Sequence, residues 1–130
     1  RTSNPGAAEV QDLMVDGRKL YQVVAQLAAE RWNGRGNCAL VVGATYPREL
    51  AEVRALVGDM PLLVPGVGAQ GGDATQVVQQ GQTRAGTGLI VSASRSLLYA
   101  SSGADFAQAC RTAAETLRRQ MNAARHRPQA

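Results

Sequence analysis

Three short runs of consecutive apolar residues stand out along the chain, at Ala39–Val42, Leu62–Val64 and Gly88–Val91. An unbroken apolar run of this length is typical of a strand that is covered on both faces, as in a parallel sheet. Between and after the runs, apolar residues recur every three or four positions, which is the spacing of a helix with one buried stripe. The pattern therefore predicts strands that alternate with helices.

The periodicity predicts three helices before the last strand. The first spans about 18–32, with Asp16 as its N-cap. The second begins at Pro47, whose missing N–H costs nothing in a first turn. The third begins near Ala74 and is capped by Asp73.

A fourth helix is predicted over 104–124, beginning at a capping box of Ser102 and Asp105. One stripe of this helix is expected to face the core: Phe106, Ala109, Ala113, Leu117 and Met121. We expect residues 1–16 to be mostly loop and residues 125–130 to form a frayed tail.

Strands alternating with helices place the chain in the α/β class, with a parallel sheet. The 130 residues are 45% apolar and 18% charged, a composition typical of a folded domain. No linker rich in proline, glycine or serine divides the chain, so we expect a single domain.

Charge and cysteine content narrow the function classes. The net charge is +4, but no basic stripe interleaved with aromatic residues accompanies it, so we expect no nucleic-acid partner. No apolar run approaches the ~20 residues of a membrane span, so no membrane association is expected either. Cys38 and Cys110 lack Cys or His neighbours at ligand spacing, which indicates two reduced thiols in a cytoplasmic protein rather than a disulfide or a zinc site.

The candidate chemistry concentrates in the glycine-rich segment 65–72, which comes after the second predicted strand and precedes the third helix. Glycine permits positive φ and lets backbone N–H groups approach an anion closely. A helix N-terminus adds partial positive charge. A phosphate group therefore fits at this segment, although a glycine-rich turn without a ligand is the alternative.

The same segment has the spacing of a dinucleotide-binding fingerprint, at Gly66, Gly68 and Gly71. That site requires an acidic residue about 20 positions further on to bind the ribose. No Asp or Glu occurs within 74–104, so a nicotinamide cofactor is disfavoured.

A second feature supports phosphate binding. Arg95 comes after the third predicted strand, one strand–helix unit beyond the glycine-rich segment. In a (β/α)₈ barrel, the loops after the last two strands often build a phosphate site at the carboxyl ends of the strands. The guanidinium of Arg95 would add a fork of donors to such a site, although a surface ion pair is the usual role of an arginine.

Four segments, read in order, resemble the orotidine 5'-phosphate decarboxylase family, in the C-terminal half of its longer bacterial branch. The matching segments are TSNPG at 2–6, VVGATYP at 41–47, VPGVGAQGG at 64–72 and SRSLLYA at 94–100. The resemblance extends to about residue 124. Four matching segments in the right order make it specific, whereas any one alone would be weak.

The resemblance implies a (β/α)₈ barrel, homodimeric, that converts orotidine 5'-phosphate to UMP and carbon dioxide in pyrimidine biosynthesis without a metal or organic cofactor. The three predicted strands then correspond to the sixth, seventh and eighth of the barrel. Residues 1–4 would come directly after the fifth strand.

The resemblance also implies substrate-binding roles. Arg95 corresponds to the phosphate-binding arginine, and Gln70 to the residue that reaches the phosphate and closes over the substrate. Ser3 corresponds to the residue that hydrogen-bonds the pyrimidine ring. Three more residues would line the pocket: Pro65 and Gly66 at the pyrimidine end, and Gly68 in the neighbouring loop.

The chain departs from the family at the catalytic array. The family's proton donor is a lysine in an Asp-x-Lys-x-x-Asp pattern on the third strand, and the single lysine here, Lys19, lies outside any such pattern. We expect Lys19 to be a solvated helix residue. The array is then expected in an N-terminal half that this chain lacks, and the chain alone is expected to be inactive. A start at Arg1 without an initiator methionine also suggests a piece of something longer.

Two other classes remain open. One is another phosphate-binding (β/α)₈ barrel, a lyase or isomerase that acts on a sugar phosphate and needs no pyrimidine contact at Ser3. The other is a non-catalytic half-barrel that serves as a binding or assembly module.

Overall fold

A computed structural model of the chain describes residues 1–2, 4–68 and 70–125. In chain order the elements are α1 (Ala7–Gln11), β1 (Met14–Val15), β2 (Arg18–Lys19), α2 (Leu20–Leu27), a π-helical turn (Ala28–Trp32), β3 (Leu40–Val41), α3 (Pro47–Val57), β4 (Leu62–Pro65), α4 (Ala74–Gly81), β5 (Leu89–Ser92), α5 (Arg95–Leu98) and α6 (Phe106–Ala124).

The three predicted strands form one parallel sheet in the order β3–β4–β5. Leu63 of β4 is paired with Val41 on one side and with Ile90 on the other. Each strand is succeeded by a helix, so the α/β class with a parallel sheet is confirmed. Because neighbouring parallel strands run in the same direction, the segments after β3, β4 and β5 come together at the carboxyl ends of the strands.

The core lies between the sheet and the helices. Val42, Leu62 and Val64 are at most 1% exposed. The helices supply the opposing side chains, which are buried to the same degree or nearly so: Leu50, Val53 and Val77. Valine, leucine and alanine fill this layer, as the scarcity of aromatic residues requires.

The opposite face of the sheet is open, which corrects the expectation of strands covered on both faces. Val41 is 54% exposed and Ile90 is 58% exposed. Their apolar character suits an environment buried on both sides, but the described residues place helices on one side only. This uncovered apolar face is what half of a barrel would present at its interior.

Residues 4–19 contain more regular secondary structure than predicted. Residues 7–11 form α1, and β1 pairs antiparallel with β2. Asp16 and Gly17 both have positive φ, at 49° and 77°, and they form the two-residue turn between these strands. Asp16 therefore cannot cap a helix, and α2 begins at Leu20 instead.

The predicted helix ends are partly confirmed. Pro47 is the first residue of α3, and the Asp73 carboxylate accepts a hydrogen bond from the Gln76 backbone N–H at 2.8 Å at the start of α4. The capping box of Ser102 and Asp105 is wrong, because the Ser101 hydroxyl, not Ser102, donates to Asp105 at 2.6 Å.

The apolar stripe by which α6 packs on the core is shorter than predicted. Phe106 is 61% exposed, whereas Leu117 and Met121 pack on the core. The short helix α5 was not predicted, and the predicted tail beyond Arg125 lies outside the described residues.

A buried arginine ties the amino ends of the strands together. The Arg54 side chain, on α3, donates four hydrogen bonds of 2.6–2.8 Å, all to backbone carbonyl oxygens: Gly58, Met60, Gly81 and Gly88. Burial lowers the pKa of its guanidinium, and the nearby Asp59 carboxylate opposes this shift. Arginine stays charged in proteins, and its four donated bonds link α3, α4 and the segments just before β4 and β5 at the end of the sheet away from the glycine-rich segment.

Replacing Tyr21 by phenylalanine is expected to weaken folding in a pH-dependent way. The Tyr21 hydroxyl donates to the Glu52 carboxylate, joining α2 to α3, and this bond lowers the pKa of Glu52. A carboxyl group whose pKa is lower in the folded state stabilises the protein at pH values above its unfolded-state pKa. That stabilisation is lost as the pH falls through its folded-state pKa. The free energy of unfolding of Tyr21→Phe should be about 1 kcal/mol lower than that of the parent at pH 7, and this difference should shrink below about pH 4.5.

Urea titrations from pH 3 to pH 8 measure this difference. Burial raises the pKa of Tyr21 well above its usual range, so the hydroxyl stays a donor throughout. Glu52→Gln is the matched variant and should flatten the same pH profile. A deficit that is constant across the range would contradict the assignment to Glu52.

Candidate functional site

The glycine-rich segment forms a tight loop that closes on itself. Val67 and Gly72 make an isolated parallel bridge. The Gly68 N–H donates to the Gly72 carbonyl at 3.0 Å, the Gly71 N–H to Gly68 at 2.8 Å and the Gly72 N–H to Gly66 at 3.1 Å. Gly66, Gly68 and Gly71 have φ of 100°, 78° and 88°, which explains why glycine is needed there.

This geometry changes the expected source of anion donors. Three loop N–H groups that were expected to hold a phosphate are used inside the loop. The N-terminus of α4 already carries the Asp73 carboxylate as its cap, which offsets part of its positive charge. Fewer backbone donors therefore remain for an anion beside this loop, and side chains should contribute more to its binding.

Gln70 supplies one such side chain. Its Oε1 lies 2.7 Å from where a Cβ on Gly66 would be. Only a glycine at position 66 leaves room for the Gln70 side chain to fold back across the loop. Gly66 thus positions Gln70, a role that the sequence did not predict.

Arg95 lies across a small cavity from this loop. A volume of about 90 Å³ is lined by eight residues: Pro65, Gly66, Val67, Gln70, Ser92, Ala93, Ser94 and Arg95. The cavity is at the carboxyl ends of β4 and β5. Four of the six predicted binding residues, Pro65, Gly66, Gln70 and Arg95, therefore meet at one place.

The two other predicted binding residues do not line this cavity. Gly68 faces α5, where the Ser96 hydroxyl lies 3.0 Å from the position of a Cβ on Gly68, and it borders a different cavity between the loop and α6. Ser3 lies outside the described residues. Lys19 lies in β2 rather than in a helix, forms an ion pair with Asp12 at 3.6 Å and is 40% exposed.

A second, more open cavity of about 480 Å³ also includes Gln70 in its lining, together with Asn4, Thr45 and Tyr46. Gln70 is therefore shared by this cavity and the one that holds Arg95. The sequence analysis predicted no role for Ser92, Thr45 or Tyr46. Their position at or just after the carboxyl ends of predicted strands could have indicated that they lie near the site.

Two absences apply to the part of the chain that is described. No three His, Cys, Asp or Glu side chains in it come close enough together to hold a metal ion. None of its helices has the length and apolar content to cross a bilayer.

Gly72→Ala is expected to destabilise the chain more than Gly71→Ala. A Cβ at Gly72 would lie 2.5 Å from the Ala44 Cβ and 2.7 Å from the Gly66 carbonyl oxygen, whereas one at Gly71 would meet nothing within 4 Å. Gly71→Ala should lower the free energy of unfolding by about 1 kcal/mol, the penalty for a side chain on a left-handed backbone. Gly72→Ala should lower it by about 2–3 kcal/mol because of the overlap. Urea unfolding of both variants measures the difference, and equal losses would contradict the close approach of the Ala44 segment and the loop.

Comparison with known proteins places this geometry in a family. The sequence profile described as "Orotidine 5'-phosphate decarboxylase / HUMPS family" matches residues 1–111. The orotidine 5'-phosphate decarboxylase of Cellvibrio japonicus is 62% identical over 125 residues, which are 96% of this chain and 46% of that protein. The corresponding protein of an Azoarcus species is 59% identical over the same coverage.

Solved structures agree in fold. The structure of Leishmania donovani OMP decarboxylase has a TM-score of 0.78 and 35% identity, covering 94% of this chain and 46% of its own. Leishmania donovani UMP synthase has a TM-score of 0.79 and 40% identity, covering 92% of this chain and 26% of its own.

The chain spans about half the length of the curated relatives it matches. The described part has the sheet and helices of a half-barrel. With the family profile covering most of its length, the chain belongs to the orotidine 5'-phosphate decarboxylase / HUMPS family.

Proposed function

We propose that this chain supplies the phosphate- and pyrimidine-binding loops of an orotidine 5'-phosphate decarboxylase, a carboxy-lyase that forms UMP. The observation that carries the proposal is the meeting of Gln70 and Arg95 at one cavity, at the carboxyl ends of adjacent parallel strands. An amide and a guanidinium are suited to a phosphate group. The relatives' names, orotidine 5'-phosphate decarboxylase, supply the substrate class.

In this proposal, phosphate binding does more than hold the substrate. Arg95 and Gln70 grip a group that is remote from the reacting carbon, and that binding energy drives closure of the loop and exclusion of water. Ser3, Pro65 and Gly66 would contact the pyrimidine end, with Gly68 in the adjoining loop.

The remaining chemistry requires residues that this chain does not contain. Loss of carbon dioxide leaves an electron pair on the ring carbon, and a cationic proton donor is needed to stabilise and protonate it. Lys19, in β2, is paired with Asp12 and does not line the Arg95 cavity. We therefore place the Asp-x-Lys-x-x-Asp array in an N-terminal half, without which the chain is inactive.

We extend the proposal to a cytoplasmic homodimer that uses no cofactor. The two cysteines are free thiols, which suits a reducing compartment. Val10 of α1, Leu13 after it and Met14 of β1 are each more than half exposed. Exposed apolar side chains of this kind are what a dimer would bury.

A full-length chimera tests the function. In this barrel chimera, the Cellvibrio japonicus relative keeps its own sequence except over the matching segment, which is replaced by this chain. We expect the barrel chimera to convert orotidine 5'-phosphate to UMP, and this chain alone to do so at no measurable rate.

Ligand preference separates the alternatives. UMP should raise the melting temperature of the barrel chimera more than ribose 5-phosphate does. A larger shift with ribose 5-phosphate, and no turnover, would favour a lyase or isomerase that acts on a sugar phosphate. No turnover and no shift with either ligand would favour a non-catalytic module.

A further inference from the structure

The open cavity of about 480 Å³ has walls from two segments that are distant in sequence. Asn4 belongs to the loop that leads into α1, and its carbonyl oxygen accepts a hydrogen bond from the Ala7 N–H at 2.9 Å. Thr45 and Tyr46 belong to the segment between β3 and α3. A cavity between two such segments keeps its shape only where a contact fixes one segment against the other.

Arg1 supplies two such contacts. Its carbonyl oxygen accepts a hydrogen bond from the Gly43 N–H at 2.8 Å. Its guanidinium lies over the Tyr46 ring, with the central carbon 4.3 Å from the ring centroid, which is the geometry of a cation–π contact. The first contact involves the backbone alone, so a substitution at position 1 tests the second contact by itself.

The guanidinium of Arg1 is also held on its other sides. The side chain is only 4% exposed, and its Nη2 lies 3.4 Å from the Asp12 carboxylate. Nη1 donates to the Thr2 carbonyl at 3.0 Å. Lys19 lies 3.6 Å from the other oxygen of Asp12, so this carboxylate lies between two cations. A buried planar cation with these partners has few alternative positions, and it restricts the ring that packs against it.

The open cavity is next to the proposed phosphate site. Gln70 lines both the open cavity and the cavity of about 90 Å³ that Arg95 lines. The smaller cavity is well below the roughly 300–1,000 Å³ that a small-molecule ligand usually occupies. A substrate whose phosphate lies beside Arg95 would therefore extend past Gln70 into the open cavity, where the flat ring of Tyr46 suits a nucleoside.

We propose that Arg1 is a positioning residue, whose guanidinium fixes the Tyr46 ring as a wall of the open cavity and so sets the fit of the substrate beyond its phosphate. This rests on the proposed function for the identity of the substrate. Arg1 lines neither the open cavity nor the Arg95 cavity, so it acts through Tyr46.

The kinetics of Arg1→Met in the barrel chimera are the first test. A misplaced wall weakens substrate and transition state alike, so KM for orotidine 5'-phosphate should rise about tenfold while kcat stays within about twofold. Arg1→Lys keeps a cation beside Asp12 but lacks the planar guanidinium, so KM should rise only about threefold. Asp12 keeps Lys19 as a partner in both variants.

The control for lost stability is Tyr21→Phe. It removes the bond from Tyr21 to Glu52, between α2 and α3, and neither residue lines the two cavities. Measured well below the melting temperature, its KM should stay within about twofold of the parent. A lower melting temperature with unchanged KM in Arg1→Met would show that Arg1 only stabilises the fold, and the proposal would be wrong.

A double variant tests whether Arg1 acts through Tyr46. Tyr46→Leu should raise KM by at least as much as Arg1→Met does. Because two residues that act as a unit are not additive, Arg1→Met combined with Tyr46→Leu should have a KM within about twofold of that of Tyr46→Leu alone. Effects that multiply, to about 100-fold, would overturn the proposal.

Inhibition constants show which part of the substrate is affected. In Arg1→Met the inhibition constant of UMP should rise about tenfold, whereas that of inorganic phosphate should stay within about twofold. An equal rise for both inhibitors would place the effect at the phosphate and contradict the proposal.

The outcomes separate this proposal from the proposed function. An active barrel chimera in which Arg1→Met leaves KM unchanged would keep the decarboxylase and reject the positioning role. A parent barrel chimera that neither forms UMP nor binds it would reject the decarboxylase, and the positioning role for that substrate with it.

Discussion

Arg95→Ala in the barrel chimera should lower kcat/KM for orotidine 5'-phosphate by about 1,000-fold, with a large rise in KM. The guanidinium can donate two charge-assisted hydrogen bonds to a phosphate, each contributing about 1.5–3 kcal/mol. The glycine loop can compensate only in part, because three of its N–H groups are bonded within the loop. Side-chain donors should therefore carry much of the anion binding.

The control for this variant is Arg84→Ala. Arg84 is also exposed, but it lies before β5, at the opposite end of the sheet. It should leave kcat/KM within about twofold of the parent. Arg95 is exposed as well, so its loss should not change the melting temperature without ligand. Unchanged kinetics for Arg95→Ala would remove Arg95 from the site.

Arg54→Met is expected to give the largest loss of stability, about 4 kcal/mol. Methionine fills much of the same space but leaves four buried or partly buried carbonyl oxygens without their donor. Urea unfolding at pH 7 measures the effect. Arg48→Met is the matched control, since that side chain is 90% exposed and should change stability by no more than about 0.5 kcal/mol.

Arg54→Lys keeps the test informative if the methionine variant does not fold. Lysine retains the charge but has three donors in place of five, so its stability should fall between those of the parent and Arg54→Met. Losses of similar size for Arg48→Met and Arg54→Met would show that the carbonyl bonds add little.

The parallel sheet and the position of the site were predictable because both depend on local pattern. A short apolar run such as Leu62–Val64, bounded by Pro61 and by Pro65-Gly66, is typical of a strand in a parallel sheet. Once two such strands are parallel and adjacent, the segments that follow them must lie side by side at the carboxyl ends of the strands. The meeting of Gln70 with Arg95 was therefore expected from that topology and from the family resemblance.

Two sequence signals conflict at the hairpin near the start of the chain, one for a turn and one for a helix. Asp16-Gly17 is a strong signal for a two-residue turn. The helical spacing after it extended the predicted helix backward to residue 18 and made Asp16 look like an N-cap. The turn prevailed because positive φ at both positions gives a two-residue turn whose twist suits the pairing of β1 with β2.

The role of Arg54 had no signal in the sequence. Its acceptors come from three separate segments, and none of them is a charged side chain that composition could reveal. The internal bonds of the glycine loop were equally hidden. Glycine content indicates which backbone angles are allowed, but not which N–H groups the resulting turn will consume.

The close approach of Ala44 and Gly72 has an evolutionary consequence. A methyl group on residue 72 would overlap both the Ala44 side chain and the Gly66 carbonyl oxygen, and the second overlap persists even when residue 44 is glycine. Across homologous sequences position 72 should therefore stay glycine whichever residue stands at position 44. The segment after β4 is then held to one residue type by its own backbone as well as by a segment 28 positions earlier in the chain.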